Sequence, residues 1–190
     1  MPIEEGAEAP DFVLKDQNNQ EVRLSDYRGQ RNVLLAFYPF AFTRVCGSEL
    51  CLIRDNIGDF VNDDTQVLTV SVDSVFAHKV WADQERYDFP LLADFWPHGG
   101  VAERYGVFDA ERGMAQRATF VIDKAGIVRF VEVSPVPVAR DQDGWRKILS
   151  SLSAAGYACR RPGRVAQRKS TRLTSGGSLV RNQPCPPYGL

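Results

Sequence analysis

The stretch "NVLLAFYPFAFTRVCGSELC", residues 32–51, decides how the chain folds. Residues 32–39 are an apolar run of strand length, fit for a strand buried on both faces. Pro39 has no amide hydrogen, so it ends the ladder and stiffens the loop after it. From residue 43 to 62 the pattern changes. Leu50, Ile53, Ile57 and Phe60 recur at three- and four-residue steps, with Arg54, Asp55 and Asp59 between them, which predicts a helix. Cys46 then falls in the first helical turn, where free backbone N–H groups and the positive end of the helix dipole favour a thiolate. Thr43 adds a hydroxyl beside it that can donate or accept a hydrogen bond.

Outward from this stretch the alternation continues. Residues 66–73 read as a second buried strand and residues 75–87 as a helix with Val80 and Trp81 toward the core. Residues 21–24 suit a short strand, 89–94 are short and extended, and 101–108 make a helical turn or two. Residues 118–123 and 127–133 flank "KAG" and predict a hairpin. A last helix is expected from about Asp141 to Ser153, with Trp145, Ile148, Leu149 and Leu152 on one face. Strands and helices that alternate and end in a hairpin predict an α/β protein whose central sheet is mixed and flanked by helices.

The chain of 190 residues is 44% hydrophobic, enough for one globular domain with an appendage. Its charge is divided. Residues 154–190 carry seven basic residues and no acidic one, which leaves 16 basic and 24 acidic residues in 1–153. The domain is therefore read as 1–153. Residues 154–190, rich in Gly, Pro, Ser and Arg and without period, are expected to be a disordered basic tail. No run approaches the roughly 20 apolar residues of a membrane span. The acidic N-terminus has no apolar signal core, so a cytoplasmic protein without membrane contact is expected. Four cysteines do not make a disulfide framework, and that compartment would keep them mostly as thiols.

Pro39, Thr43 and Cys46 form P-x-x-x-T-x-x-C, which resembles the active-site signature of the peroxiredoxins. "GAEAPDFVLKDQNNQEVRLSDYRGQRNVLLAFYPFAFT", "FPLLADFWPHGGVAERYGVFD" and "RATFVIDKAGIVRF" look like further segments of such an enzyme. The resemblance covers roughly residues 3–153. It is strongest to the alkyl hydroperoxide reductase E type, a relative of the bacterioferritin-comigratory proteins. It implies a thioredoxin-like fold and reduction of hydrogen peroxide or organic hydroperoxides by the Cys46 thiolate, which becomes a sulfenic acid. It implies an arginine beside the cysteine, which falls on Arg117, and a helper that orients it, which falls on Glu49. Pro39 would limit water access. No metal or organic cofactor is implied. The partners implied are a hydroperoxide, a second copy of the chain as a homodimer, and an external thiol reductant. That reductant would be a thioredoxin- or mycoredoxin-like protein or a low-molecular-weight thiol. Arg44 departs from the pattern, which usually has a small residue there; an added cation could favour the thiolate or crowd the peroxide pocket.

Cys51, five residues past Cys46, leaves two readings open. On an intact helix the two α-carbons stand about 8–9 Å apart, beyond the roughly 4.4–6.8 Å of a disulfide. Cys51 is thus either a resolving cysteine that acts after the first turns unwind, or a core residue with an outside thiol doing the resolving. Cys46, Cys51, Cys159, Cys185, His78 and His98 lack the paired short spacings of a zinc site, and both histidines read as surface residues. Two other functions compete. A thiol–disulfide exchange protein is disfavoured by the absence of C-x-x-C, and nucleic-acid binding through the tail is not expected.

Overall fold

The computed structural model describes residues 1–158. The part of the basic tail from 159 to 190 lies outside the described residues. The strands are β1 (Val13–Lys15), β2 (Glu21–Arg23), β3 (Asn32–Phe37), β4 (Thr65–Ser71), β5 (Leu91–Ala93), β6 (Phe108–Asp109), β7 (Met114–Ala115), β8 (Arg117–Ile122) and β9 (Val128–Ser134). The helices are α1 (Arg44–Asp55), α2 (Ile57–Phe60), α3 (Val75–Glu85), α4 (Gly100–Arg104) and α5 (Gln142–Ala158). Seven strands form one sheet in the order β2-β1-β5-β4-β3-β8-β9, and β6–β7 is a separate small ribbon. The sheet is mixed. β3, β4 and β5 run parallel, while β8 is antiparallel to both β3 and β9. This is the α/β arrangement of the thioredoxin-like fold, flanked by helices. No described helix is long and apolar enough to cross a membrane.

The two-residue side-chain period of a strand sorts the apolar run of β3 onto two cores. Val33, Leu35 and Phe37 pack with Phe12, Tyr105 and Phe120 on one face. Leu34 and Tyr38 pack on the other with Leu50, Ile53, Trp81 and Trp145 from α1, α3 and α5. Every residue of β3, β4 and β8 is buried; β3 accordingly reads as a nearly continuous apolar run, while β4 and β8 also bury polar side chains, among them Thr69, Ser71, Arg117 and Thr119.

Four sequence expectations are corrected. The helix over 43–62 is two helices, because Asn56 leaves helical geometry (φ −122°, ψ 34°) and its side chain bonds the Leu52 carbonyl. Val80 is 52% exposed. The buried stripe of α3 is instead His78, Trp81, Ala82 and Glu85, a three- and four-residue spacing hidden by its polar members. For the same reason His78 is not a surface residue but wholly buried, whereas His98 is exposed as expected. The last helix runs to Ala158 rather than stopping at Ser153, through a continuation in which three of five residues are alanines of high helix propensity. β1 carried no sequence expectation.

Candidate active site

β3 delivers the chain to the end of the sheet, where the Tyr38 amide donates to the Val70 carbonyl at 3.0 Å as the last backbone bond. Pro39 is buried there. The loop then turns sharply. Phe42 has a φ of 60°, and Thr43 is extended at φ −85°, ψ 146° before α1 begins. The Thr43 hydroxyl donates to the Phe40 carbonyl at 3.0 Å, and the Gly47 amide bonds the Thr43 carbonyl at 2.8 Å to open the helix. Cys46 is the third helical residue, 1% exposed, and a free thiol.

Arg117 opens β8, and the register that pairs Phe37 with Ala118 brings it beside the end of β3. Its Nη2 donates to Cys46 Sγ at 3.4 Å. The guanidinium is fixed further by two partners. Nη1 is paired with Glu49 Oε2, while Nε and Nη2 donate to the Val136 carbonyl at 3.1 and 2.9 Å. Glu49 stands one helical turn after Cys46 and is 1% exposed, so a single helix face presents both the sulfur and the carboxylate that holds the arginine.

Sequence reasoning missed Arg140. Its Nε and Nη2 donate to the two Glu49 oxygens at 3.0 Å each, and its backbone amide adds a bond to Oε1 at 2.8 Å. Nη1 reaches the carbonyls of Phe37 and Ala118 at 3.0 and 2.8 Å, tying together the ends of the two strands that frame the site. The guanidinium also lies 5.1 Å from the ring centre of Trp145. Nothing in "PVPVARDQDGW" marked this residue: it lies outside any periodic segment, and arginines are mostly exposed. One buried carboxylate thus faces two buried guanidiniums, leaving a net positive environment around the sulfur.

The structure therefore brings Pro39, Thr43, Cys46, Glu49 and Arg117 to one end of the sheet. Thr43 and Arg44 are on the exposed side of the site. Cys51 faces other neighbours. It is buried, with its sulfur 3.7 Å from both Glu85 Oε2 and the Tyr87 hydroxyl. Thiols were mostly expected; Cys51 is instead disulfide-bonded, and not to Cys46, which is free. Behind the loop lies a second polar group that sequence reasoning also missed: Tyr38, Ser71, Asp73 and His78.

Residues 6–131 match the AhpC/TSA family. The chain is 51% identical over 149 residues to alkyl hydroperoxide reductase E of Mycobacterium tuberculosis (strain ATCC 25618 / H37Rv), covering 78% of this chain and 97% of that one. It is 35% identical over 161 residues to 2-Cys peroxiredoxin BAS1, chloroplastic, of Spinacia oleracea, covering 80% and 60% respectively. Among solved structures, peroxidoxin BcpB from Mycobacterium tuberculosis is similar with a TM-score of 0.70 at 34% identity, covering 80% of this chain and 97% of that one. Reduced Plasmodium vivax 2-Cys peroxiredoxin is similar with a TM-score of 0.74 at 28% identity, covering 82% and 85%.

Proposed function

From the premise that this chain belongs to the AhpC/TSA family and is a thiol-dependent peroxidase, we propose that Cys46 is the thiol that reduces the hydroperoxide. The observation that carries this reading is the 3.4 Å contact between Arg117 and the free, buried thiol at the start of α1. The thiolate sulfur attacks the nearer peroxide oxygen and the O–O bond breaks. The electron pair leaves on the far oxygen, which takes up a proton from solvent, and Cys46 becomes a sulfenic acid. Arg117 stabilises the thiolate and then the charge on the departing oxygen. Thr43 and Arg117 together hold the two oxygens in line, and Pro39 screens the sulfur from bulk water. Glu49 and Arg140 act through Arg117, fixing its fork in place.

While α1 is folded, an external thiol condenses with the sulfenic acid to a mixed disulfide, losing water, and a second thiol attacks that disulfide to release the Cys46 thiol and a disulfide of the two external thiols. Both cysteines lie within the twelve residues of that helix, and their sulfurs meet different neighbours. Cys51 could resolve Cys46 only as a reduced thiol and with the first turns of α1 unwound. A thioredoxin- or mycoredoxin-like protein or a small thiol suits the external role, and such chemistry fits a reducing, cytoplasmic setting. Homodimerisation, with the edge strands β2 and β9 as candidates for contact, is part of the same reading. The test is a peroxide-consumption assay with a thiol reductant. Cys46→Ser should abolish activity while circular dichroism stays unchanged. Retained activity in a folded Cys46→Ser protein would sink the assignment.

A further inference from the structure

The loop from Pro39 to Thr43 carries two residues of the site, yet among the described residues no backbone-to-backbone hydrogen bond reaches Phe40, Ala41 or Phe42. Phe42 moreover sits at a φ of 60°, uncommon for a bulky side chain. Something else must hold this backbone in place. The Ala41 amide donates to Asp73 Oδ2 at 2.8 Å. The same oxygen accepts the Ser71 hydroxyl at 2.7 Å. Ser71 Oγ in turn lies 2.8 Å from His78 Nε2, and the Tyr38 hydroxyl lies 2.9 Å from that nitrogen.

Ser71 has one hydrogen and gives it to the Asp73 carboxylate, while its oxygen meets His78 Nε2 together with the Tyr38 hydroxyl. Tyr38 precedes Pro39 directly, and Ala41 stands two residues before Thr43, so the chain grips both sides of the loop.

We propose that Asp73 is a positioning residue for the peroxide step: it tethers the Ala41 amide and so sets where Pro39 and Thr43 stand over Cys46, with Ser71 and His78 fixing its carboxylate from behind and Tyr38 closing the chain onto β3. This rests on the reading of Cys46 as the reacting thiol. Asp73 is bonded to neither the sulfur nor Arg117, so its loss should spare the thiolate and disturb only the alignment of the peroxide.

The experiment measures two rates on the full chain: oxidation of Cys46 by hydrogen peroxide, and alkylation of Cys46 by iodoacetamide, which needs the thiolate but not the peroxide cradle. Asp73→Ala should slow oxidation at least about tenfold, with alkylation within about threefold of wild type. Asp73→Asn should recover most of the oxidation rate, because its amide oxygen can accept both the Ala41 and Ser71 hydrogens. Ser71→Ala, which leaves Asp73 on the loop but unbraced, should fall between the two. Oxidation of Asp73→Ala at the wild-type rate overturns the proposal. So does an equal fall in both rates, or no rescue by Asp73→Asn, since either marks a merely structural role. If wild type itself is not oxidised at Cys46, the peroxidase assignment falls and takes the proposal with it.

Discussion

Arg117 meets Cys46 in a fixed pose because its other donors are already committed to Glu49 and Val136. A planar fork held at several points loses little freedom when the reaction develops charge, which a lysine's single ammonium cannot imitate. Arg117→Ala should slow the peroxide step at least tenfold, about 1.4 kcal/mol of barrier, as read by stopped-flow oxidation of Cys46. A wild-type rate would place the activating cation elsewhere. Glu49 carries a larger structural burden. Its removal leaves Arg117 and Arg140 buried side by side without a counter-charge. Glu49→Ala should therefore cost about 3–5 kcal/mol in urea unfolding, the range for breaking a buried pair from one side. Arg117→Ala should cost less, because Glu49 keeps Arg140.

At the scale of elements, α1 does two things at once. Its first turn holds the sulfur proposed to react, and its continuity keeps Cys51 in other company. After full reduction and one equivalent of peroxide, an intact α1 should yield a sulfenic acid on Cys46 that dimedone traps. A Cys46–Cys51 disulfide should appear only in step with a loss of helix by circular dichroism. A disulfide-linked peptide in high yield with unchanged helix would contradict the spacing argument. The loop before α1 stores strain at Phe42, whose ring packs on Trp81 at 5.7 Å between centroids. That contact and the Asp73 tether hold a backbone shape which the loop's own residues do not favour.

Over the whole molecule, burial pushes the His78 imidazole down from 6.5 to about 4; the charge of Asp73 and the Leu91 carbonyl oppose this but do not win. Tyr38 and Asp73 are the titratable groups that face it from the end of β3 and from the turn before α3. Between pH 6.5 and 4 the unfolded chain binds more protons at this residue than the folded one, so stability rises with pH across that window. The contribution is complete above 6.5 and lost as the pH falls toward 4, about 3 kcal/mol in all. Urea midpoints from pH 7 to 4 should fall accordingly, and His78→Asn should flatten the curve. A slope that His78→Asn leaves unchanged would assign the titration to another group. A chain ending at residue 158 should keep its peroxide activity, because every group placed around Cys46 lies before that point.

The sequence by itself determined most of the elements and pointed to the chemistry of one short stretch. The central strand β3 announces itself as an apolar run, and a proline, a threonine and a cysteine at fixed spacing lie on one continuous piece of chain whose geometry is local. Arg117 and Glu49 were legible through resemblance, since no local pattern says which distant strand will stand beside α1. What only the tertiary structure decided was the company these groups keep. Arg140 comes from a loop 91 residues beyond Glu49, and Asp73 reaches back 32 residues to Ala41. His78 hid in a helix face that looked polar. Burial and pairing of charged groups depend on which elements pack together, and sheet order sets that through contacts far apart in the chain. Periodicity within a single segment therefore carries no trace of them.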